Sequence, residues 1–213
     1  SPTFAVRAGY TERRYIRSSV LSKWRRTAFS WRTRLSSSTS IGGAFYLDAV
    51  PNAGHYALAE LERRGHLAAI VTQNIDGLHQ AAGSRTVYEL HGSIRRAHCM
   101  DCGTHYALDY IMEHTPIPCC SCGGIVRPDV VLYEESLDPA TIEGAVAAIR
   151  AADTLIIGGT SLIVYPAAGL IDYFQGEHLV LINKSETRAD RRAELVIREP
   201  IGATLHAALP EEK

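Results

Sequence analysis

The sequence contains no apolar run long enough to cross a bilayer. It shows no secretory hydrophobic segment either, so an intracellular, cytoplasmic chain is expected, with no membrane partner. It has almost no net charge: the formal value is −1, which alone gives no reason to expect a nucleic-acid partner. Cysteine is sparse as well. Five cysteines in a reducing compartment point to metal ligands more than to disulfides. What is present suits a globular protein. The 213 residues are 46% hydrophobic, enough for a core, and suit one domain with a small insert or two small lobes.

The charge is unevenly placed. Residues 1–45 carry Arg7, Arg13, Arg14, Arg17, Lys23, Arg25, Arg26, Arg32 and Arg34 against the single acid Glu12, a balance of +8 that leaves −9 for the rest. This segment is rich in Ser, Arg and Thr and shows neither helical nor strand periodicity, which reads as a basic arm.

From residue 51 onward, strand-like and helix-like segments alternate. A helix is expected over 52–64, closed by Gly65, then a strand at 67–71, a short helix ending by Gly83, and a strand at 86–90. Residues 95–130 are punctuated by Cys, Pro and Gly and read as an insert. A helix at 139–151 precedes the apolar strand 154–157. Helix 166–174, strand 178–182, strand 195–197 and a helix near 201–209 complete the chain. Such alternation predicts an α/β fold with a parallel, doubly wound sheet.

Polar residues gather where the predicted strands end. Thr72-Gln73-Asn74-Ile75-Asp76-Gly77-Leu78-His79 follows the apolar run 67–71. His91 follows the next strand, and Gly158-Gly159-Thr160-Ser161 follows strand 154–157. Open α/β sheets place ligands at such carboxyl ends. Gln73, Asn74 and Asp76 are also ordinary turn residues; their company with His91 and the glycine turn argues for a site. An imidazole titrating near neutrality suits a general base.

Cys99-x-x-Cys102 and Cys119-x-x-Cys122 are separated by sixteen residues, a spacing suited to structural zinc. Four thiolates would fill the metal's coordination shell and leave no open position for water. Cys120 reads as a bystander, because using it would leave one residue between ligands. Little basic charge in 103–118 argues against a nucleic-acid-binding ribbon.

The succession TQNIDGLH, His91-Gly92, the paired cysteines and Gly159-Thr160-Ser161 resembles the sirtuin family of NAD-dependent protein deacylases over roughly residues 46–205. The resemblance implies a Rossmann-like NAD-binding domain built from 46–94 and 131–213, with a zinc-binding lobe inserted at 95–130. It implies NAD contacts by Gln73, Asn74, Ile75, Asp76, Gly159, Thr160, Ser161 and Asn183, and catalytic roles for His91, Asn74 and Asp76. An acyl-lysine peptide would add a strand between Val131-Leu132-Tyr133-Glu134 and Ser161–Tyr165, touching Leu162, Val164 and Tyr165. The family's Phe-Gly-Glu segment is replaced by Tyr133-Glu134-Glu135. Products would be free lysine, nicotinamide and O-acyl-ADP-ribose. The family's first strand, its Gly-Ala-Gly loop and a Gly-Ile-Pro-Asp-Phe-Arg-like segment are not found intact in residues 1–45. A truncated 5′ end with a frame error between about residues 16 and 45, or a divergent arm, is therefore expected. Two alternatives stay open: a catalytically impaired binding protein, or an ADP-ribosyltransferase using the same NAD site.

Overall fold

The computed structural model describes residues 49–114, 117–132 and 135–209, together with the backbone of residues 4–8. Six parallel strands form the main sheet in the order β3-β2-β1-β7-β8-β9. They are β1 (Phe4–Ala8), β2 (Leu67–Thr72), β3 (Val87–Glu89), β7 (Thr154–Gly158), β8 (His178–Ile182) and β9 (Leu195–Ile197). This is the doubly wound order of dinucleotide-binding sheets: two halves run outward from β1 and β7, and the order reverses between those two strands.

Local sequence explains most elements. Helix α1 (Ala53–Arg63) begins where the Asn52 side chain accepts from the N–H groups of Gly54 and His55, and Gly65 follows its end with φ 74°. Helix α2 (Leu78–Ala81) is a single turn after β2. Helix α4 (Pro139–Ala151) has Asp138 as its cap and proline in its first turn. Between Pro166 and Phe174 the expected α-helix is instead a 3-10 helix, Ala167–Tyr173, with the Gly169 N–H bonded to the Pro166 carbonyl. Helix α5 (Ile201–Ala207) closes the described chain.

Neighbouring residues of each strand supply opposite faces of the sheet. Val71, Leu155, Ile157 and Leu181 pack with Ile149 of α4 and with Leu170 and Ile171 of the 3-10 helix. Ile70 and Ile182 pack with Leu58 of α1 and Leu205 of α5 on the other face. Burial of each large aliphatic side chain contributes about 1.5–3 kcal/mol. The result is a helix–sheet–helix sandwich whose polar strand ends stay clear of both cores.

Strand β1 corrects the sequence reading of residues 1–45, in which no strand was expected. Its backbone pairs in parallel with β2 on one side and β7 on the other, from Ala5↔Ala69 to Ala8↔Thr72 and from Phe4↔Thr154 to Ala8↔Gly158. A central parallel strand needs no alternation of apolar and polar residues. Five residues interrupted by Arg7 therefore leave no periodic trace. The expectations concerning the glycine loop and the remaining arm fall on residues 9–45, outside the described residues.

A second, antiparallel sheet in the order β5-β4-β6 joins β4 (Gly92–Cys99), β5 (His105–Ala107) and β6 (Val126–Val130), with α3 (Leu108–Glu113) beside it. Both connections to the main sheet lie side by side, since Gly92 is in register with Val130. Gly92 has φ 76°, and a Cβ there would lie 1.8 Å from the Asp129 carbonyl oxygen, so only glycine fits this neck.

Candidate active site and metal centre

The reversal of strand order sets the site. Beyond β2, Gln73 and Asn74 stand on one side of the β1 terminus; beyond β7, Gly159 and Thr160 stand on the other. The Asn74 N–H donates to Thr72 Oγ1 at 3.0 Å, and its side-chain amide donates to Asp76 Oδ2 at 3.4 Å. Asp76 Oδ1 accepts from the Leu78 N–H at 3.0 Å, and the Asp76 carbonyl accepts from Arg95 Nε at 3.1 Å. Ile75 is tied by its carbonyl to the Ile94 N–H. The turn is thus held by both sheets. Among the described residues, Gln73 Nε2 and Asn74 Oδ1 are buried and have no hydrogen-bond partner. Such groups are costly to bury unpaired, which marks them for a polar ligand.

His91 follows β3 after the single residue Leu90. Its Nδ1 lies 3.1 Å from the Gln73 carbonyl oxygen. A carbonyl can only accept, so Nδ1 carries the proton and Nε2 is left as the basic atom. The His91 carbonyl accepts from the Val131 N–H at 3.0 Å, tying the imidazole's backbone to the strand that returns from the second sheet.

Thr160 is buried, and its hydroxyl accepts from the Leu162 N–H at 3.2 Å. Gly159 has φ 59° and allows the backbone to turn sharply at the end of β7. Ser161 is exposed. Asn183, beyond β8, donates its amide to the Ser185 carbonyl at 2.8 Å and accepts from Arg198 at its backbone oxygen.

The expected substrate residues divide. Val164 and Tyr165 are open, at 47% and 63% exposure, and Val131 and Leu132 are half-buried. Leu162, at 1% exposure and φ 55°, is packed into the core, so its side chain is a structural anchor and not a contact surface. The expectations for Tyr133 and Glu134 lie outside the described residues. The neighbouring Arg127–Glu135 pair was not anticipated. Arg127 donates to both Glu135 carboxylate oxygens at 2.8 and 2.9 Å, and Glu135 Oε2 also accepts from the Leu132 N–H at 2.9 Å. The Arg127 guanidinium holds the Glu135 carboxyl below its ordinary range. This clamp shapes the edge at Leu132. An eight-residue separation with no repeat offers no sequence signal for it.

Two further histidines lie beneath the Asp76 turn. His55 and His79 are buried with ring centroids 4.7 Å apart. Burial drives the His79 imidazole down to about 3, with His55 adding to the effect. Burial also lowers His55, partly countered by Asp76.

The cysteines correct one expected ligand. The Sγ atoms of Cys99, Cys102, Cys120 and Cys122 all lie within 4.8 Å of one another. Cys119 is exposed, with its Sγ 3.5 Å from the Ile117 carbonyl. Cys120, read as a bystander, takes its place. A tetrahedral zinc with Zn–S near ~2.3 Å requires S–S separations of roughly 3.8 Å. The Cys99–Cys122 and Cys102–Cys120 separations are both 3.5 Å, so the donor set fits a closed four-thiolate zinc site. Tyr106 donates its hydroxyl to Cys120 Sγ at 3.0 Å. With the Cys122 N–H as the larger influence and Tyr106 next, the Cys120 thiol is pulled down to about 5, which favours the thiolate a metal needs.

The comparisons with known proteins agree with this geometry. The model of the Sir2 family matches residues 22–166. The chain belongs to the Sir2 family. The match begins inside the N-terminal segment that sequence reading had set apart. An NAD-dependent protein deacetylase of Clostridium acetobutylicum is 61% identical over 166 residues, covering 77% of this chain and 68% of that protein. One from Clostridium perfringens is 62% identical over 162 residues, covering 75% and 66%. The chain thus spans about two thirds of the length of these curated relatives. A solved complex of Sir2 with a p53 peptide and NAD+ superposes with a TM-score of 0.79 at 30% identity, covering 97% of this chain and 91% of that one. Sir2Tm bound to a propionylated peptide gives 0.81 at 31% identity with the same coverage. These Sir2 proteins share the fold described here over 97% of this chain.

Proposed function

We propose that this chain is an NAD-dependent protein-lysine deacylase that consumes NAD and an acyl-lysine peptide and releases nicotinamide and O-acyl-ADP-ribose. The observation that carries the reading is the pair of buried, unpartnered amide atoms of Gln73 and Asn74 at the switch point, beside an imidazole whose tautomer is fixed. The Sir2 membership and the deacetylase names of the relatives support it.

Gln73, Asn74, Ile75 and Asp76 would hold the nicotinamide-ribose half of NAD, with Gly159, Thr160, Ser161 and Asn183 on the adenosine side. When bound, NAD would supply an electrophilic ribose carbon, which the acyl oxygen attacks as nicotinamide leaves, so that the ADP-ribose portion carries off the acyl group. Asn74 offers an acceptor at Oδ1, and its donor side is already turned to Asp76, which fixes which face of the amide meets the ligand. His91 Nε2 takes the proton from a ribose hydroxyl while Nδ1–H stays on the Gln73 carbonyl. The developing imidazolium is thereby stabilised by an acceptor already in place. Val131–Leu132 and Val164–Tyr165 provide the two backbone edges for the peptide. Cys99, Cys102, Cys120 and Cys122 hold zinc structurally. A cytoplasmic site of action fits cysteines that form no disulfide among the described residues. Among the described residues, no helix is long and apolar enough to cross a membrane.

The test is His91→Ala. Deacetylation of an acetyl-lysine peptide is expected to fall about 10²–10⁴-fold, while NAD binding by calorimetry persists. A loss below tenfold at saturating substrates removes His91 from the role of base. Nicotinamide release that does not depend on the acetylated peptide would instead indicate ADP-ribosyl transfer to another acceptor.

A further inference from the structure

Strand β4 breaks register with β6 beside the switch point. Ser93 pairs with Asp129 and Ala97 with Pro128, so Ile94, Arg95 and Arg96 have no counterpart on β6. Bulges of this kind re-aim side chains, often next to active sites. The Ser93 hydroxyl accepts from the Arg95 N–H at 3.2 Å where the bulge begins. Each of the three residues then bonds to the main sheet or to the turn that leaves it. The Ile94 N–H donates to the Ile75 carbonyl at 2.9 Å. Arg95 Nε donates to the Asp76 carbonyl at 3.1 Å, and its Cγ lies 2.9 Å from where a Cβ on Gly77 would sit. Arg96 Nη1 donates at 2.8 Å to Glu89, the last residue of β3, whose side chain is only 6% exposed.

Of the three, Arg95 is tied most directly to the candidate ligand atoms. Its guanidinium holds the Asp76 carbonyl. The carboxylate of the same residue accepts from the Asn74 side-chain amide at 3.4 Å and from the Leu78 N–H at 3.0 Å. With its amide nitrogen turned to Asp76, Asn74 presents Oδ1, which is buried and unpartnered among the described residues. A continuous chain of bonds thus runs from the second sheet through Asp76 to an atom that awaits a ligand. Gly77, at φ 71°, brings no side chain to steady the turn, and the Arg95 stem packs against it instead. We propose that Arg95 is a positioning residue for NAD. It sets Asp76, and through Asp76 the Asn74 amide, so that cofactor affinity depends on the cysteine-bearing lobe and zinc retention depends in turn on the cofactor. The proposal rests on the NAD-binding half of the deacylase reading. The reciprocity is thermodynamic: if the ordered lobe raises NAD affinity, bound NAD stabilises the ordered lobe by the same factor.

The experiment uses Arg95→Met, which keeps most of the stem and removes the donors, and Arg95→Lys, which restores a charged donor. NAD affinity is measured by calorimetry without peptide, and zinc is counted in the same samples. Arg95→Met should keep the zinc content of the unaltered chain and bind NAD about tenfold more weakly, the order that one hydrogen bond from a charged donor supplies. Arg95→Lys should recover part of that loss. In turnover, KM for NAD should rise with Kd while kcat changes little, the pattern of a lost binding contact. A second measurement follows zinc transfer to a chromogenic chelator. Saturating NAD should slow the transfer in the unaltered chain, and this protection should vanish in Arg95→Met. Unchanged NAD affinity in Arg95→Met overturns the positioning role, and so does a fall in kcat with KM unchanged. Zinc transfer indifferent to NAD in the unaltered chain overturns the linkage. Weaker NAD binding accompanied by loss of zinc would make Arg95 a structural residue of the lobe and also overturns it. Should NAD bind but no acetyl-lysine peptide be turned over, the deacylase reading fails alone, and calorimetry with zinc transfer still decides Arg95. If the unaltered chain binds no NAD, both fall.

Discussion

Cys119 Sγ turns to the Ile117 carbonyl, whereas Cys120 Sγ lies 3.5 Å from Cys102 Sγ. The two residues are adjacent, and Cys119 is in an antiparallel bridge with Ile125. Cys120 opens the turn that carries Cys122, closed by the Gly123 N–H bonded to the Cys120 carbonyl at 2.9 Å, and this knuckle brings both thiols to Cys99 and Cys102. Zinc content should remain at one ion per chain in Cys119→Ser and fall toward zero in Cys120→Ser, measured by atomic absorption on the purified variants. The opposite result would restore the wider spacing read from the sequence. At the same scale, Nδ1 of His91 is committed to the Gln73 carbonyl, which makes His91→Asn as damaging as His91→Ala: an asparagine can keep that bond but offers no basic nitrogen.

Helices α1 and α2 meet through the His55–His79 pair, and this contact makes them acid-labile. His55 also accepts from the Asn52 N–H at Nδ1, a bond that needs the neutral ring. Both histidines have folded-state pKa values depressed below the ordinary 6.5. The unfolded chain takes up these protons first as pH falls. Their stabilisation is therefore complete above about pH 6.5 and declines as pH drops toward about 3, where His79 titrates in the fold. Urea unfolding at stepped pH should show this decline, and His79→Leu should flatten much of it. An unchanged slope in that variant would assign the acid sensitivity to other groups. The turn bearing Asp76 sits directly after β2 and before α2, so loosening this pair should weaken NAD binding over the same window.

At the scale of the molecule, the second sheet and its cysteine cluster form a lobe joined to the main sheet by the neck at His91-Gly92 and Val130-Val131. Its small core consists of Ala97, Cys99, Ile111, Cys120 and Val126, two of them candidate metal ligands. A core this size is marginal without the ion, since metal binding here is folding energy. Chelation should melt the lobe at a temperature well below the main sheet. Turnover should be lost with it, because the Val131 N–H that braces the His91 carbonyl belongs to the neck. Calorimetry with and without chelator tests this: a single transition indifferent to chelator would mean the lobe stands without zinc.

The sequence by itself determined the repeating strand–helix order and pointed to the polar residues of the candidate site. The predicted strands 178–182 and 195–197 and the helix 139–151 match the observed elements. The candidate residues Gln73, Asn74, Asp76 and His91 stood out because turn-breaking polar residues follow apolar strands of clear length, and the fold brings His91 to the Gln73 carbonyl and Asn74 to Asp76. Such information is local: burial pattern, caps and spacing act within a few residues. The tertiary structure alone decided three matters. It placed Phe4–Ala8 at the centre of the sheet, where flanking strands supply every backbone partner that its own five residues could not announce. It put Leu162 inside the core and left Val164 and Tyr165 open, because a positive φ at Leu162 reverses the chain there. It chose Cys120 over Cys119, since which thiol reaches the other pair depends on how the turn at 120–123 folds back and not on how many residues lie between cysteines.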